Sequence, residues 1–163
     1  MLRKLAVLFL FFHANTYLPA ADFPTPTPGS YTLKNFKFST GETLPEARIH
    51  YRTLGKPKLG KNGQVANAIL VLHGTGGSGE PFVDKGPTGQ MFAGELFGKG
   101  QLLDAEQYYI IIPDNIGHGK SSKPSDGLKA KFPKYGYHDL IAAQHQLLTE
   151  GLKVNHLRLV MGT

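Results

Sequence analysis

The sequence predicts an α/β protein built on a mostly parallel sheet with flanking helices. Two continuous apolar segments, at about 68–73 and 108–113, each run into a glycine-rich turn, as strands buried on both faces do. A helical segment follows each of them along the chain, over 91–97 and 137–150. Because strands that alternate with helices usually pair in parallel, this order favours a sheet that is covered on both faces.

The composition is that of a globular protein of one ordinary domain. Of the 163 residues 40% are hydrophobic and 18% are charged, and the 20 glycines and 11 prolines indicate many turns. The sequence contains no cysteine, which excludes thiolate catalysis, cysteine-based zinc sites and disulfide bonds.

Residues 1–20 have the pattern of a secretory signal peptide. Arg3 and Lys4 form a positive start, the apolar segment 5–12 is too short to span a bilayer, and small residues follow near position 20. The pattern predicts a protein that is secreted or periplasmic and has no stable membrane span. An uncleaved N-terminal anchor or a poorly ordered start remains open as an alternative.

The charge distribution does not favour a nucleic-acid partner. The formal net charge is +6, and residues 1–20 hold two of the 18 Lys and Arg and none of the 12 Asp and Glu, so the balance without them is 16 − 12 = +4. The lysines are scattered through loops and form no dense block interleaved with aromatic residues, so we expect a solvated surface.

The domain is predicted over 30–163, after a proline-rich linker at 21–29. Two segments with alternating apolar and polar residues, 30–38 and 47–55, predict an antiparallel pair at one edge of the sheet. A last apolar strand runs from Leu157 to Met161. If nothing pairs with it, it forms an exposed apolar edge that invites self-association.

The segment 137–150 predicts an amphipathic helix whose apolar face belongs to the core. Asp139 lies in its first turn and Gly151 just past its end, as helix capping prefers. The residues expected on the buried face recur at helical spacing and are Leu140, Ile141, Gln144, Leu147 and Leu148.

Two turns at the carboxyl ends of the predicted strands contain the residues that could take part in catalysis or ligand binding. One is the segment His73-Gly74-Thr75-Gly76-Gly77, and the other runs from Asp114 to Ser121. Open α/β sheets bind their ligands at the carboxyl ends of the strands. We therefore assign four residues to loops on the active face, namely His73, Asp114, Gly117 and Gly119.

Three segments resemble the homoserine O-acetyltransferase-like branch of the α/β-hydrolases. They are the strand at 67–73, the segment 97–111 with its Gly-x-Gly-x-x-Leu-Asp core, and the helix and strand over 137–163. The similarity covers about residues 30–163, and it rests on the order and spacing of the segments together. It implies the N-terminal part of an α/β-hydrolase sheet, an antiparallel hairpin plus about three parallel strands with flanking helices.

The resemblance also implies roles for individual residues. The turn after the first parallel strand of such hydrolases supplies an oxyanion-hole N–H group, here that of Thr75, with Gly74 and Gly76 beside it. Gly162 and Thr163 match the first two positions of the nucleophile elbow, Gly-x-Ser-x-Gly. The serine, acid and histidine of the triad would then all follow residue 163. We therefore expect no catalytic residue within the chain, which alone would be inactive and marginally stable.

The implied activity is ester hydrolysis or acyl transfer on a small-molecule ester or acyl substrate, with no cofactor. Export argues against acetyl transfer from cytosolic coenzyme A, and the Gly76-Gly77 pair departs from the less glycine-rich turn of true acetyltransferases. Homoserine O-acetyltransferase activity of an intact form stays open, and so does a non-catalytic remnant or binding domain.

Structural roles compete with several of these assignments. The glycine turn is also compatible with a purely structural turn, and His73 with a hydrogen-bonding residue that fixes it. Asp114 is suited to pinning its own loop by bonds to the backbone, whereas a metal role lacks companion ligands.

The remaining candidate nucleophiles and ligands fit structural roles better. Ser78, Ser121 and Ser122 suit turns or caps more than nucleophilic attack. His138 and His145 lie two turns apart on one helix face, but a third zinc ligand is missing from the pattern, so we expect no metal site.

Overall fold

A computed structural model of the chain describes residues 22–84 and 93–162. The predicted signal peptide at 1–20 lies outside the described residues, and so do Met91 and Phe92 of the first predicted helix. The described strands form one mixed sheet in the order β1-β2-β4-β3-β5. They are β1 (Thr27–Lys37), β2 (Thr43–Leu54), β3 (Ala68–Leu72), β4 (Tyr109–Pro113) and β5 (Leu159–Gly162).

The pairing of the strands confirms the predicted fold class. β1 and β2 form an antiparallel hairpin at one edge, and β2 pairs antiparallel with β4. β4, β3 and β5 are mutually parallel neighbours. All five residues of β4 are buried, as expected for a wholly apolar strand in the middle of a sheet.

In the described ranges, two α-helices lie between the parallel strands. α1 covers Ala93–Leu96, and α2 covers Tyr137–Gln146 and continues as a π-helical turn over Leu147–Gly151. Short 3₁₀ turns occupy Glu80–Phe82, Pro124–Asp126 and Lys129–Lys131. Within residues 22–84 and 93–162, no helix combines the length and the apolar character that a membrane crossing requires.

The core lies on both faces of the sheet because successive strand residues point to opposite sides. Ile110 and Ile112 pack in a cluster with Phe97, just after α1, and with Phe82. Ile111 belongs to a second cluster, which includes Leu148 from the end of α2 and two further strand residues, Ala68 and Leu70. Because its side chains alternate between the two faces of the sheet, β4 contributes to both clusters.

The buried face of α2 differs from the predicted one at Ile141. This side chain is 62% exposed, whereas Asp139, Ala143 and Gln144 are buried. At 100° per residue, Ile141 lies about 160° round the helix from both Asp139 and Ala143. The prediction was right at Gln144, but it did not place the capping carboxylate of Asp139 on the inner side, where this carboxylate bonds Ser39 and Gly136.

The first and last strands begin at other residues than the sequence predicts. β1 begins at Thr27, before the predicted Ser30, with Pro28 on the outer edge strand, where a missing N–H costs no ladder bond. Phe23 of the predicted linker is buried in the core. β5 begins at Leu159 and not at Leu157, and it lies at the other edge of the described sheet.

Candidate functional site

The two glycine-containing turns lie side by side because β3 and β4 are parallel neighbours. The turn after β3, residues 73–79, is called the glycine turn below, and the segment 114–122 after β4 is called the β4 loop. Two hydrogen bonds join them directly. The N–H of Asn115 donates to Nε2 of His73 at 3.0 Å, and the N–H of Gly79 donates to Oδ1 of Asp114 at 2.8 Å.

His73 is a structural bridge between the two turns. Its Nε2 accepts the Asn115 bond, so the proton is on Nδ1, which lies 2.9 Å from the carbonyl oxygen of Gly74. The ring is buried and lies 5.3 Å from the ring of His118. Because both ring nitrogens are engaged, this geometry matches the structural role considered above for His73 and leaves no lone pair for a general base.

The glycine turn presents backbone N–H groups at the carboxyl end of the sheet. The N–H of Gly77 donates to the carbonyl oxygen of Gly74 at 3.2 Å, and Gly76 has a φ of +79°, the features of a type II turn. In the part of the chain that the structure describes, the N–H groups of Thr75 and Gly76 have no hydrogen-bond partner, and both residues are exposed. They are therefore available to an anionic or carbonyl oxygen.

Asp114 is the most heavily bonded side chain of the site. It is fully buried at the end of β4. Oδ1 accepts from Arg52 Nη1 at 2.9 Å and from the N–H of Gly79 at 2.8 Å. Oδ2 lies 3.2 Å from His50 Nδ1 and accepts the N–H of Lys120 at 2.9 Å. One carboxylate thus connects β2, the glycine turn and the β4 loop.

These contacts set the charge of the buried cluster. Burial opposes ionisation and would raise the pKa of Asp114, but the N–H groups of Lys120 and Gly79 and the Arg52 guanidinium outweigh it, so this pKa lies below the ordinary 3.8. Burial, and then the positive charge of Arg52, lowers the pKa of His50 against the opposing effect of the carboxylate. At neutral pH the cluster contains a carboxylate, a guanidinium and a neutral imidazole.

Gly119 makes room for the carboxylate. A Cβ at this position would lie 2.2 Å from Oδ2 of Asp114, and the residue has a φ of +52°. Gly117 is similarly crowded, since a Cβ there would lie 1.9 Å from the hydroxyl of Tyr135. The glycines of the β4 loop are therefore explained by close packing around Asp114 and Tyr135.

The serines of the site bond to the backbone. Ser121 Oγ donates to the carbonyl oxygen of Asp114 at 2.7 Å and accepts the N–H of His50 at 2.9 Å, and Ser122 Oγ accepts the N–H of Arg48. Ser78 Oγ accepts the N–H of Glu80 at 3.3 Å. These are the turn and capping roles that the sequence favours for all three, with the addition that Ser121 and Ser122 fasten the β4 loop to β2.

Two further carboxylates explain segments singled out in the sequence. Asp104, the last residue of the Gly-x-Gly-x-x-Leu-Asp core, accepts the N–H groups of Gly100 at 2.8 Å and of Glu106 at 2.7 Å, and these bonds lower its pKa. Asp139 accepts the N–H groups of Gly136 and Ser39 and so joins the start of α2 to the β1–β2 turn.

His50 and Arg52 are the site residues that the sequence analysis missed. Both lie on β2, which the alternating pattern predicts as a half-exposed strand, yet both are buried against Asp114. The available signal was the spacing of Arg48, His50 and Arg52 at every second residue, which places three basic side chains on one face of a strand.

The structure does not bring the candidate zinc ligands together with others. Among the described residues, no group of three His, Asp or Glu is placed to hold a metal ion. His138 and His145 lie on the exposed side of α2. Asp114 uses its oxygens on N–H groups and on Arg52, which fits the loop-pinning role named for it in the sequence.

Several known proteins are similar to this chain, although no family model matches it. A probable acyltransferase of Methanothermobacter thermautotrophicus is 33% identical over 138 residues, which are 83% of this chain and 40% of that protein. A homoserine O-acetyltransferase of Haloferax prahovense is 34% identical over 138 residues, with coverages of 77% and 32%.

Solved structures agree with these relatives. The homoserine O-acetyltransferase of Bacillus anthracis superposes with a TM-score of 0.65 at 23% identity, over 85% of this chain and 40% of that one. The acetyl esterase MekB superposes with a TM-score of 0.66 at 26% identity, with coverages of 83% and 36%.

The sheet order, the glycine turn and these similarities define the fold as that of an α/β-hydrolase, matching its N-terminal part. Within that superfamily the chain belongs to the homoserine O-acetyltransferase-like branch, as the resemblance predicted. It spans about 40% or less of the length of the relatives named above and is therefore a partial α/β-hydrolase-like portion.

The lowered pKa of Asp114 predicts how a variant responds to pH. Asp114→Asn should lower the free energy of unfolding by about 3 kcal/mol at pH 7, because Arg52 stays buried beside a neutral group. The ionised carboxylate contributes stability above its unfolded pKa of about 3.9, and this contribution is lost as pH falls towards the lower folded pKa. Urea unfolding from about pH 7 to about pH 3.5 should therefore show the difference shrink below about pH 4.

Asp126→Asn is the matched control, since Asp126 bonds Lys123 on the surface. Its effect should stay below about 1 kcal/mol. A loss for Asp114→Asn that is equally small, or that stays constant across the pH range, would contradict the assigned electrostatics.

Proposed function

We propose that this chain supplies the oxyanion half of a serine α/β-hydrolase that hydrolyses or transfers an acyl group. The observation that carries the proposal is the exposed glycine turn, whose Thr75 and Gly76 N–H groups have no partner within the described residues. The relatives named as acyltransferases and the structural neighbour named as an acetyl esterase support the acyl chemistry.

The register of β5 supports a nucleophile at the adjoining position. β5 runs parallel to β3, and Gly162 is the partner of Leu72. Extending this register places the second residue after Gly162 level with Gly74, beside the glycine turn. In the Gly-x-Ser-x-Gly elbow that position is the serine. We therefore propose that the serine follows Thr163 directly, and that the acid and histidine lie further along the chain.

The proposed chemistry uses the glycine turn in the transition state. The serine hydroxyl attacks the acyl carbonyl carbon and passes its proton to the histidine, and the carbonyl oxygen becomes negative. The N–H of Thr75 and the N–H after the serine donate to this oxygen. One such donor lowers the barrier by about 3 kcal/mol. The adduct then collapses, the bond to the leaving group breaks, and the leaving group takes the proton from the histidine, so that an acyl-serine remains. Hydrolysis and transfer differ only in whether water or a second hydroxyl then takes the acyl group from the serine.

The coding sequence and one backbone substitution test this proposal together. Reading beyond codon 163 should show Ser-x-Gly in frame, and the intact protein should cleave p-nitrophenyl acetate. Thr75→Pro removes the backbone N–H at a position where a type II turn accepts proline, so kcat should fall at least about 100-fold while the fold persists. Thr75→Ala keeps the N–H and should retain the activity.

Other results would overturn the proposal. A stop directly after codon 163 would contradict the serine-hydrolase role. Full activity of Thr75→Pro would contradict the assignment of the Thr75 N–H as an oxyanion donor. Acyl transfer to homoserine in preference to water would select the acetyltransferase alternative. Failure of the intact protein to react with a phosphonate that traps active serines would favour a non-catalytic binding domain.

We also propose that the 163-residue chain self-associates through β5. In the described sheet β5 pairs with β3 on one side, and Leu159 and Val160 are 41% and 55% exposed. An apolar edge without a charged side chain invites strand pairing. Sedimentation should show oligomers that Val160→Lys disperses, whereas the control Ile141→Lys, on the exposed side of α2, should not. A monomeric parent chain, or equal dispersal by both variants, would contradict this proposal.

A further inference from the structure

We propose that Asp114 and Arg52 are positioning residues that hold the glycine turn, and with it the N–H of Thr75, at a fixed height over the sheet. This inference rests on the proposed function, because it assigns a task to the turn as an oxyanion donor. It goes beyond that function in naming which side chains outside the turn fix the donor.

The glycine turn is attached to its surroundings at both ends. At its start, His73 Nε2 accepts the N–H of Asn115 at 3.0 Å. At its end, the N–H of Gly79 donates to Oδ1 of Asp114, and Arg52 Nη2 lies 3.7 Å from the carboxylate of Glu80, the next residue. Arg52 therefore bridges two carboxylates, one in the β4 loop and one directly after the turn.

The middle of the turn lacks comparable support. Thr75, Gly76 and Gly77 are exposed, and the described structure gives them one hydrogen bond, from Gly77 to Gly74. A Cβ added at Gly76 would meet no atom within 4 Å. The position of the Thr75 N–H consequently depends on how firmly the two ends of the turn are held.

The buried ion pair of Asp114 and Arg52 is suited to this task because its hydrogen bonds hold the carboxylate in one orientation. Asp114 is fully buried, and each oxygen serves one side-chain nitrogen and one backbone N–H. Charge-assisted hydrogen bonds are shorter and stronger than neutral ones, and a buried charge that loses a partner is strongly disfavoured. The carboxylate therefore resists displacement, and its hydrogen bond to the N–H of Gly79 holds the end of the glycine turn in place.

The strand itself does not need this carboxylate. β4 is paired on both sides, with β2 and β3, and its five residues are buried. The N–H of Asp114 also extends the β2–β4 pairing by donating to the carbonyl oxygen of His50 at 2.8 Å. The Asp114 side chain therefore serves to join the glycine turn to the β4 loop.

Backbone ¹⁵N relaxation tests the proposal without any assay of activity, with every chain carrying Val160→Lys so that self-association through β5 does not affect the measurement. In the parent chain the N–H order parameters of Thr75, Gly76 and Gly77 should be near the rigid value of about 0.85. In Asp114→Asn they should fall below about 0.6 while those of β4 stay high. Arg52→Lys, which keeps the charge but loses the planar fork, should lower them by a smaller amount.

Matched controls separate positioning from general loss of stability. Asp139→Asn removes another buried carboxylate, which bonds Gly136 and Ser39 and not the glycine turn, and Arg48→Lys changes an exposed arginine on the same strand as Arg52. Neither should move the order parameters of the glycine turn. If Asp114→Asn does not fold, the order parameters of the glycine turn in Arg52→Lys are compared with those in Arg48→Lys, and this comparison tests the proposal.

Unchanged turn order parameters in a folded Asp114 or Arg52 variant, or an equal fall in the Asp139 control, would overturn the inference. Because the readout is backbone order, these outcomes differ from a failure of the proposed function. That failure would appear as a rigid turn in a protein without activity towards esters or acyl donors.

Discussion

The buried carboxylate of Asp114 is the constraint on which the arrangement of this chain depends. A charge without solvent needs compensation from every direction, and here it comes from His50 and Arg52 on β2 and from two backbone N–H groups. Those donors belong to segments far apart in the sequence. One carboxylate therefore ties the glycine turn and the β4 loop to β2, which the sheet already pairs with β4.

The sheet topology brings these segments within reach. β4 lies between β2 and β3, so the residue at its carboxyl end faces side chains from one neighbour and the turn after the other. Parallel pairing of β3 with β4 puts both turns at the same edge of the sheet. Gly119 then matters because a Cβ there would occupy the space of the carboxylate. The strand order, the glycine at position 119 and the donors around the carboxylate thus all contribute to the burial of Asp114 between β2, the glycine turn and the β4 loop.

The sequence predicts the parts of this protein that local pattern determines. The apolar segments around Ile69 and Ile111 define β3 and β4, and the alternating residues before them define the hairpin, since these patterns reflect burial of a strand on two faces or one. The choice of fold class follows from their order. The predicted buried face of α2 was right at Gln144 but wrong at Ile141, because apolarity alone does not reveal that Asp139, whose carboxylate bonds Ser39 and Gly136, takes a buried position.

The candidate site is less predictable, because it depends on contacts between distant residues. Asp114 lies 62 residues from Arg52 and 35 from Gly79, and nothing local in the sequence pairs them. The turns carrying His73 and Asp114 could be placed from glycine spacing and strand order. Their connection through His50, Arg52 and Asn115 needed the three-dimensional structure, as did the tautomer of His73.

The measurement that tests this account most directly is the unfolding free energy of Gly119→Ala beside that of Gly63→Ala. Both glycines have positive φ, but a Cβ at Gly63 meets no atom within 4 Å, whereas one at Gly119 would lie 2.2 Å from Oδ2 of Asp114. Gly63→Ala should cost about 1 kcal/mol from backbone strain alone. Gly119→Ala should cost about 3 kcal/mol or more, because the displaced carboxylate loses its partners. Equal costs at the two positions would contradict the central role given to Asp114.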